Sequence, residues 1–298
     1  MNGDASSWRA DLARELTKRS KATAGQMMSV PLAGRGDVPR TGITGPPGAG
    51  KSSLIAMLAA QWLSSGAKVG VLAVDPSSPS TGGSVLGDRA RMDAVADNPN
   101  LFIRSFSSGQ SVDGLAPNMM SLLDCFEQAG FDEIVLETVG VGQVSYEVRK
   151  LVETLVLVLV PESGDVVQAM KAGILETADI YVINKSDLPG SNRLASEIGS
   201  LVSWRKKKES WTPPIVRTSS PSLQGAAELA DSIARHRQSD EFHRRQQELL
   251  AGRHSYHLRS IILRRLAEVL SIRPVDPTHR DTVQAYREVI EAMATTGE

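Results

Sequence analysis

The chain has 298 residues, 41% hydrophobic and 22% charged, a composition of the soluble globular class with room for one large α/β domain and an appendage, or two modest domains. Lysine and arginine number 33 against 34 acids, so no global charge draws the protein to nucleic acid or to an anionic membrane, and partners must be recognised locally. One cysteine, Cys125, excludes an internal disulfide and a CxxC metal clip; with no apolar leader in residues 1–30 and no run long enough to cross a bilayer, a cytoplasmic protein is expected, with Cys125 a small core residue of a helix.

Residues 8–28 carry Trp8, Leu12, Leu16 and Ala24 among many charges, which predicts an amphipathic helix. Residues 31–39, with Gly34 and Gly36, read as a linker, so 1–38 form a helical segment and linker ahead of the core domain. From Arg40 onward strand and helix patterns alternate. Strands are expected at 41–44, 68–74, 101–104, 133–137, 154–160, 180–183 and 215–218. Several are unbroken valine, isoleucine and leucine runs, as strands buried on both faces of a parallel sheet require. Helices such as 115–129 and 166–176 supply the crossovers. The expected fold is α/β: a mostly parallel central sheet flanked by helices, over residues 39–222.

Beyond Ser222 the strand signals stop, and 223–298 is expected to be a helical extension. Leu258, Ile261, Ile262, Leu266, Val269 and Leu270 form one amphipathic stripe; Val283, Tyr286, Ile290 and Met293 form another, with Pro274 and Pro277 between them. Between Arg235 and Arg265 eight arginines stand against three acids, Asp240, Glu241 and Glu248. That excess reads as a solvated helical face, with contact to an acidic partner or nucleic acid as the alternative. All five histidines lie between 236 and 279. His254 and His257 sit one turn apart, but no cysteine or second pair stands near to complete a metal site.

The stretch Gly45-Pro46-Pro47-Gly48-Ala49-Gly50-Lys51-Ser52-Ser53 fits G-x-x-x-x-G-K-[ST] between a predicted strand and a predicted helix. That context favours a phosphate-binding loop over an ordinary glycine-rich turn. Backbone amides and the helix N-terminus would cradle phosphates, Lys51 would reach the β- and γ-phosphates, and the Ser52 hydroxyl would sit on Mg²⁺. Asn184-Lys185-Ser186-Asp187 places N-K-x-D at the end of a later strand, on the same rim. The Asp187 carboxylate can accept from the N1–H and amino group of guanine, a donor pair adenine lacks, which argues for GTP. Ser219, Ser220 and Pro221 end the last strand and approach the base from the other side, a less specific signal. Among the acids, Asp75 and Glu137 end strands near the loop, and Asp88 lies in the glycine-rich loop between them. Asp88 is the favoured direct Mg²⁺ ligand, with Asp75 and Glu137 beside it or bonded to its waters. Glu137 opens Glu137-Thr138-Val139-Gly140, whose glycine amide can sense the γ-phosphate. Gln143 is placed to orient an attacking water, or else is a solvated loop residue.

Taken with Asp75-Pro76-Ser77-Ser78-Pro79, Thr81-Gly82-Gly83-Ser84-Val85-Leu86-Gly87-Asp88 and Glu137-Thr138-Val139-Gly140-Val141-Gly142-Gln143, these segments resemble the MeaB, ArgK and MMAA-type G-protein chaperones of the SIMIBI class of P-loop proteins. The resemblance implies a GTPase that binds an adenosylcobalamin-dependent acyl-CoA mutase, gates cofactor loading and helps replace damaged cofactor. It also implies a homodimer joined by C-terminal helices. Asp75, Asp88 and Glu137 match the family's magnesium and switch acids, and residues 161–171 match its third switch. In that switch Glu162 stands where the family usually has glycine and Val166 where it has an acid. Lys171 follows this loop and is expected to couple a partner to catalysis alongside Lys51, Glu137 and Gln143; a solvated helix lysine is its plainer reading. A small-molecule kinase, a transport-associated ATPase or a nickel-delivery GTPase shares the scaffold. The first lacks an obvious acceptor pocket here, and a single cysteine argues against the last.

Overall fold

The computed structural model describes residues 4–29, 38–75, 95, 97–107, 115, 118–138, 144–161, 174–205, 210–219, 223–272 and 281–295. Seven strands, β1 (Arg40–Thr44), β2 (Val69–Asp75), β3 (Leu101–Ser107), β4 (Glu133–Glu137), β5 (Thr154–Leu159), β6 (Ile180–Ile183) and β7 (Ile215–Arg217), form one sheet in the order β3-β2-β4-β1-β5-β6-β7. Every ladder is parallel. The unbroken apolar runs of β2, β5 and β6 are buried throughout, because helices cover both faces. On one face α1 (Asp4–Ser20), α4 (Met119–Gln128) and, through Val148, the short α5 (Val144–Arg149) pack over Leu72, Leu136 and Leu155. Further along that face α6 (Ser191–Arg205) covers Leu157 and Tyr181. On the other, α3 (Lys51–Ser64) and α7 (Ala226–Arg237) pack over Val71, Val135 and Val156. Since all strands run one way, all their C-terminal ends emerge at one rim.

The expected α/β architecture is present, with local differences that have identifiable causes. The N-terminal stretch is two helices, α1 and α2 (Ala24–Ser29). Thr23 and Gln26 form a reciprocal cap, Thr23 N donating to Gln26 Oε1 at 3.0 Å and Gln26 N to Thr23 Oγ1 at 3.3 Å, which starts a new helix. β3 runs three residues past the expected end, because Ser105, Phe106 and Ser107 pair with Ala73, Val74 and Asp75 despite the polarity of the two serines. The helix expected from 115 begins at Met119, after Asn118 turns left-handed at φ 64°; its Nδ2 donates to the Arg19 carbonyl at 2.8 Å. Of 166–176, only a 3₁₀ turn at Ile174–Glu176 lies within the described residues. Cys125 is buried in α4, as expected, and burial pushes its thiol up to about 11.

The arginine-rich stretch is a solvated face only in part: Arg235, Arg244 and Arg259 are exposed, Arg237, Arg245, Arg264 and Arg265 half-buried and Arg253 buried. Seven of its eight arginines pair with carboxylates, among them Arg237 with Glu133 at 2.6 Å, Arg245 with Glu241 at 3.1 Å, and Arg253 with Glu153. Glu133 and Glu153 stand at the starts of β4 and β5, so these pairs fasten α7 and α8 (Asp240–Ile272) to the N-terminal rim of the sheet. Asp179, just before β6, is the centre of that rim. It accepts both Arg149 Nη groups at 2.6 and 2.8 Å and the Leu155 amide at 2.7 Å. His236 is fully buried beside it, Nε2 at 3.6 Å from Asp179 Oδ1 and Nδ1 at 2.9 Å from Thr154 Oγ1. Burial drives this imidazole down to about 4. Beyond the rim, α8 packs against α2, α4 and α9 (Thr282–Thr295). Of the two predicted stripes, Ile261 and Val269 are buried, while Leu258, Ile262, Val283, Tyr286 and Ile290 are exposed. No described helix is long and apolar enough to cross a membrane.

Candidate functional site

The loop between β1 and α3 is fixed by two close approaches. Gly45 has φ 150°, and a Cβ there would lie 2.2 Å from the Val158 carbonyl oxygen of β5. Gly50 has φ 82°, and its Cβ would lie 2.4 Å from Asn184 Nδ2. Glycine at both positions lets the loop fold tightly against the sheet and start α3 with no side chain capping its amides. Those amides face the rim with the positive end of the helix dipole, an anion-binding arrangement. Pro47 and Gly48 are exposed at the loop tip, while Pro46 and Ala49 are buried and Ser53 is half-buried. Lys51 is buried, its Nζ donating to the Gly45 and Pro46 carbonyls at 2.9 and 3.1 Å. The ammonium is thus held over the loop instead of extending into solvent.

Oxygen ligands collect beside it. Ser52 Oγ donates to Glu137 Oε1 at 2.8 Å, and Glu137 is buried opposite Ile43 at the end of β4. Asp75, also buried, ends the adjacent β2 two residues beyond Ala73, the partner of Glu137. A hydroxyl and two carboxylates on neighbouring strands make a hard-oxygen corner next to the phosphate loop, the donor set that suits Mg²⁺.

The loops after β6 and β7 are bonded to each other and to the phosphate loop. Asn184 Nδ2 donates to the Ala49 carbonyl at 2.8 Å, while its Oδ1 accepts from Thr218 Oγ1 at 3.0 Å. The side chain of Asn184 therefore braces the phosphate loop, a role that the sequence pattern, read as base recognition, does not reveal. Lys185 follows with φ 52°, turning the chain so that Asp187 is exposed at the rim. Ser219 Oγ donates to Asp187 Oδ1 at 2.6 Å, and this hydrogen bond holds the carboxyl below its ordinary range. It is thus an ionised acceptor at neutral pH. Ser219 is held by two backbone hydrogen bonds with Gln224, and the next turn needs Gly225, whose Cβ would meet the Arg217 carbonyl at 2.1 Å. Lys51, Ser52, Glu137, Asp75, Asn184, Asp187 and Ser219 thus come to one rim. Asp88, Gln143, Lys171, Ser220 and Pro221 lie outside the described residues.

Residues 12–274 match the family described as methylmalonyl-CoA mutase-associated GTPase MeaB. A Pyrococcus abyssi protein with a provisional GTPase name is 44% identical over 211 residues, 70% of this chain and 64% of that protein. The Escherichia coli protein named GTPase ArgK is 36% identical over 237 residues, covering 76% and 71%. A Mus musculus protein named methylmalonic aciduria type A homolog, mitochondrial, is 38% identical over 198 residues, covering 65% and 48%. The chain therefore spans less than two thirds of the Pyrococcus and mouse relatives. A solved structure titled LAO/AO transport system kinase shares the fold, with TM-score 0.59 and 24% identity over 96% of this chain and 98% of that one.

Proposed function

The chain belongs to the MeaB family of methylmalonyl-CoA mutase-associated GTPases, and from that premise we propose that it hydrolyses GTP and serves an adenosylcobalamin-dependent acyl-CoA mutase, gating the loading and protection of its cofactor. The observation that carries the GTPase reading is the convergence on one rim of Lys51, the Ser52–Glu137 pair and the Ser219-held Asp187. Phosphates are received by the backbone N–H groups of 48–53 and by Lys51, and guanine by Asp187. Ser52, Glu137 and Asp75 would hold Mg²⁺, with Asp88 as the further ligand the family implies, and an ion held there would supply charge neutralisation to the nucleotide's phosphates. In phosphoryl transfer the protein's part is to position groups and stabilise charge. A partner that positions Gln143 and Lys171 is therefore a natural accelerator.

The mutase reading is supported by the family's description and by the name of the mouse relative. The exposed Leu258, Ile262, Val283, Tyr286 and Ile290 on α8 and α9 support dimerisation through this hairpin. The test is phosphate release from GTP and from ATP, alone and with a cobalamin-dependent acyl-CoA mutase. Slow GTP turnover that the mutase accelerates is expected, with Lys171→Ala lowering the acceleration far more than nucleotide affinity. Preference for ATP, or phosphoryl transfer to a small acceptor in place of water, would overturn the GTPase reading. GTP turnover unmoved by any such mutase would remove the partner alone.

A further inference from the structure

β3 closes one side of the sheet, pairing with β2 alone. The Leu101 amide donates to the Asn98 carbonyl, and the Leu101 carbonyl accepts from Arg9 Nη2 at 2.7 Å, so residue 101 turns its backbone away from β2. Along a parallel strand the amide and carbonyl of one residue point to the same side, and the side alternates. Ile103 and Ser105 therefore also present their backbone groups outward, and among the described residues these have no partner. Beside this edge lies a cavity of about 250 Å³ between α1 and residues 101–104, roomy because two of the α1 side chains that line it, Ala10 and Ala13, are small. Arg9 and Arg104 also line it. Arg9 Nε is buried without an acceptor, and Arg104 Nη2 donates to Thr17 Oγ1 at 2.9 Å. Neither guanidinium meets a carboxylate among the described residues, in contrast to the paired arginines of α8.

We propose that the β3 edge and its cavity are a docking site for an extended acidic segment of another protein, which adds to the sheet as an eighth strand. The incoming backbone pairs with Ile103 and Ser105. Side chains of 102, 104 and 106 lie on the α1 face, where Phe102 meets Trp8 with ring centroids 6.1 Å apart. Acids at alternate positions of the added strand then meet Arg104 and Arg9, while the neighbouring positions suit β-branched residues. A second copy of this chain is a poor occupant, since pairing β3 with itself about a two-fold axis brings like guanidinium charges together.

The probe is a fluorescent peptide of alternating valine and glutamate, titrated by anisotropy into the full chain, with amide exchange followed over 101–107. We expect binding, slowed exchange at Ile103 and Ser105, and no binding of the valine–lysine counterpart. Ser105→Pro removes an outward N–H and leaves the β2 ladder intact, so it should weaken the peptide about tenfold, as should Arg104→Glu, with Arg104→Lys recovering part. GTP affinity reports that each variant is folded and is expected to stay unchanged. Failure of the acidic peptide to bind at millimolar concentration, or equal binding by wild type and both Ser105→Pro and Arg104→Glu, overturns the proposal. The two arginines would then serve only to keep a bare edge from aggregating.

Discussion

The two rims of the sheet solve opposite problems with the same strands. At the N-terminal rim, charged side chains are buried and paired: Arg149 with Asp179, Arg253 with Glu153, Arg237 with Glu133, Arg40 with Glu127. At the C-terminal rim the contacts are mostly neutral donors on carbonyls and carboxylates, such as Asn184 on Ala49 and Ser52 on Glu137, together with glycines that keep side chains out of the way. Removing one member of a buried ion pair strands its partner, whereas a hydroxyl or ammonium resting on an oxygen can trade that oxygen for a ligand's. One rim is built to persist and the other to exchange.

Breaking the contrast at its strongest point should give the largest effect. Arg149→Met leaves Asp179 buried without its bidentate partner and should lower unfolding free energy by about 3–5 kcal/mol in urea titrations, while nucleotide affinity of the folded fraction is unaltered. Lys51→Ala should do the reverse: triphosphate affinity falls about a hundredfold, the loss of charge-assisted contacts, with the unfolding midpoint nearly unmoved. Wild-type affinity in calorimetry would mean the loop is not the phosphate site.

A third effect separates the rims by pH. His236 has its folded pKa lowered to about 4 from 6.5, so the unfolded chain takes up the proton first. Its contribution is complete above pH 6.5 and is lost as pH falls from 6.5 towards 4, about 2 kcal/mol of it by pH 5. His236→Gln should flatten the fall measured between pH 6.5 and 5; an unchanged slope would shift the cause to other groups. The smallest effect belongs to the exchanging rim. Asp187→Asn should weaken GTP about tenfold and improve xanthosine triphosphate, since an amide can donate to the oxygen that replaces the guanine amino group. An unaltered base preference in competition assays would remove Asp187 from base recognition.

The placing of Lys51, Ser52, Asn184 and Asp187 on one rim was legible in the sequence, because G-x-x-x-x-G-K-[ST] and N-K-x-D are written in contiguous residues of fixed spacing; Asp88, Gln143 and Lys171 lie outside the described residues. The central strands were legible too: Val69 to Val74 or Thr154 to Leu159 is too uniformly apolar to be anything but doubly covered. The persistent rim was not. Its arginines pair with acids about 30–105 positions away, as Arg149 does with Asp179 and Arg253 with Glu153, and nothing local distinguishes a guanidinium aimed inward from one in solvent. Asn184 hid its role for the opposite reason, since its motif already supplied an explanation. The Thr23–Gln26 cap was readable as T-x-x-Q and marks where the first predicted helix divides.

One feature of the persistent rim reaches beyond it. α8 has 33 residues, a rod of about 50 Å, gripped near its start by Arg245 and Arg253. A rod held at one end magnifies error: a tilt of about 5° at the root carries the far tip about 4 Å sideways. The far half is stayed a second time, where Glu268 Oε1 accepts the Ala24 amide at 3.0 Å and Ile261 packs on Met27. The short helix α2 thus acts as a guy line on a mast, and the aim of the exposed apolar face on α8 and α9 is set by residues at the opposite end of the chain.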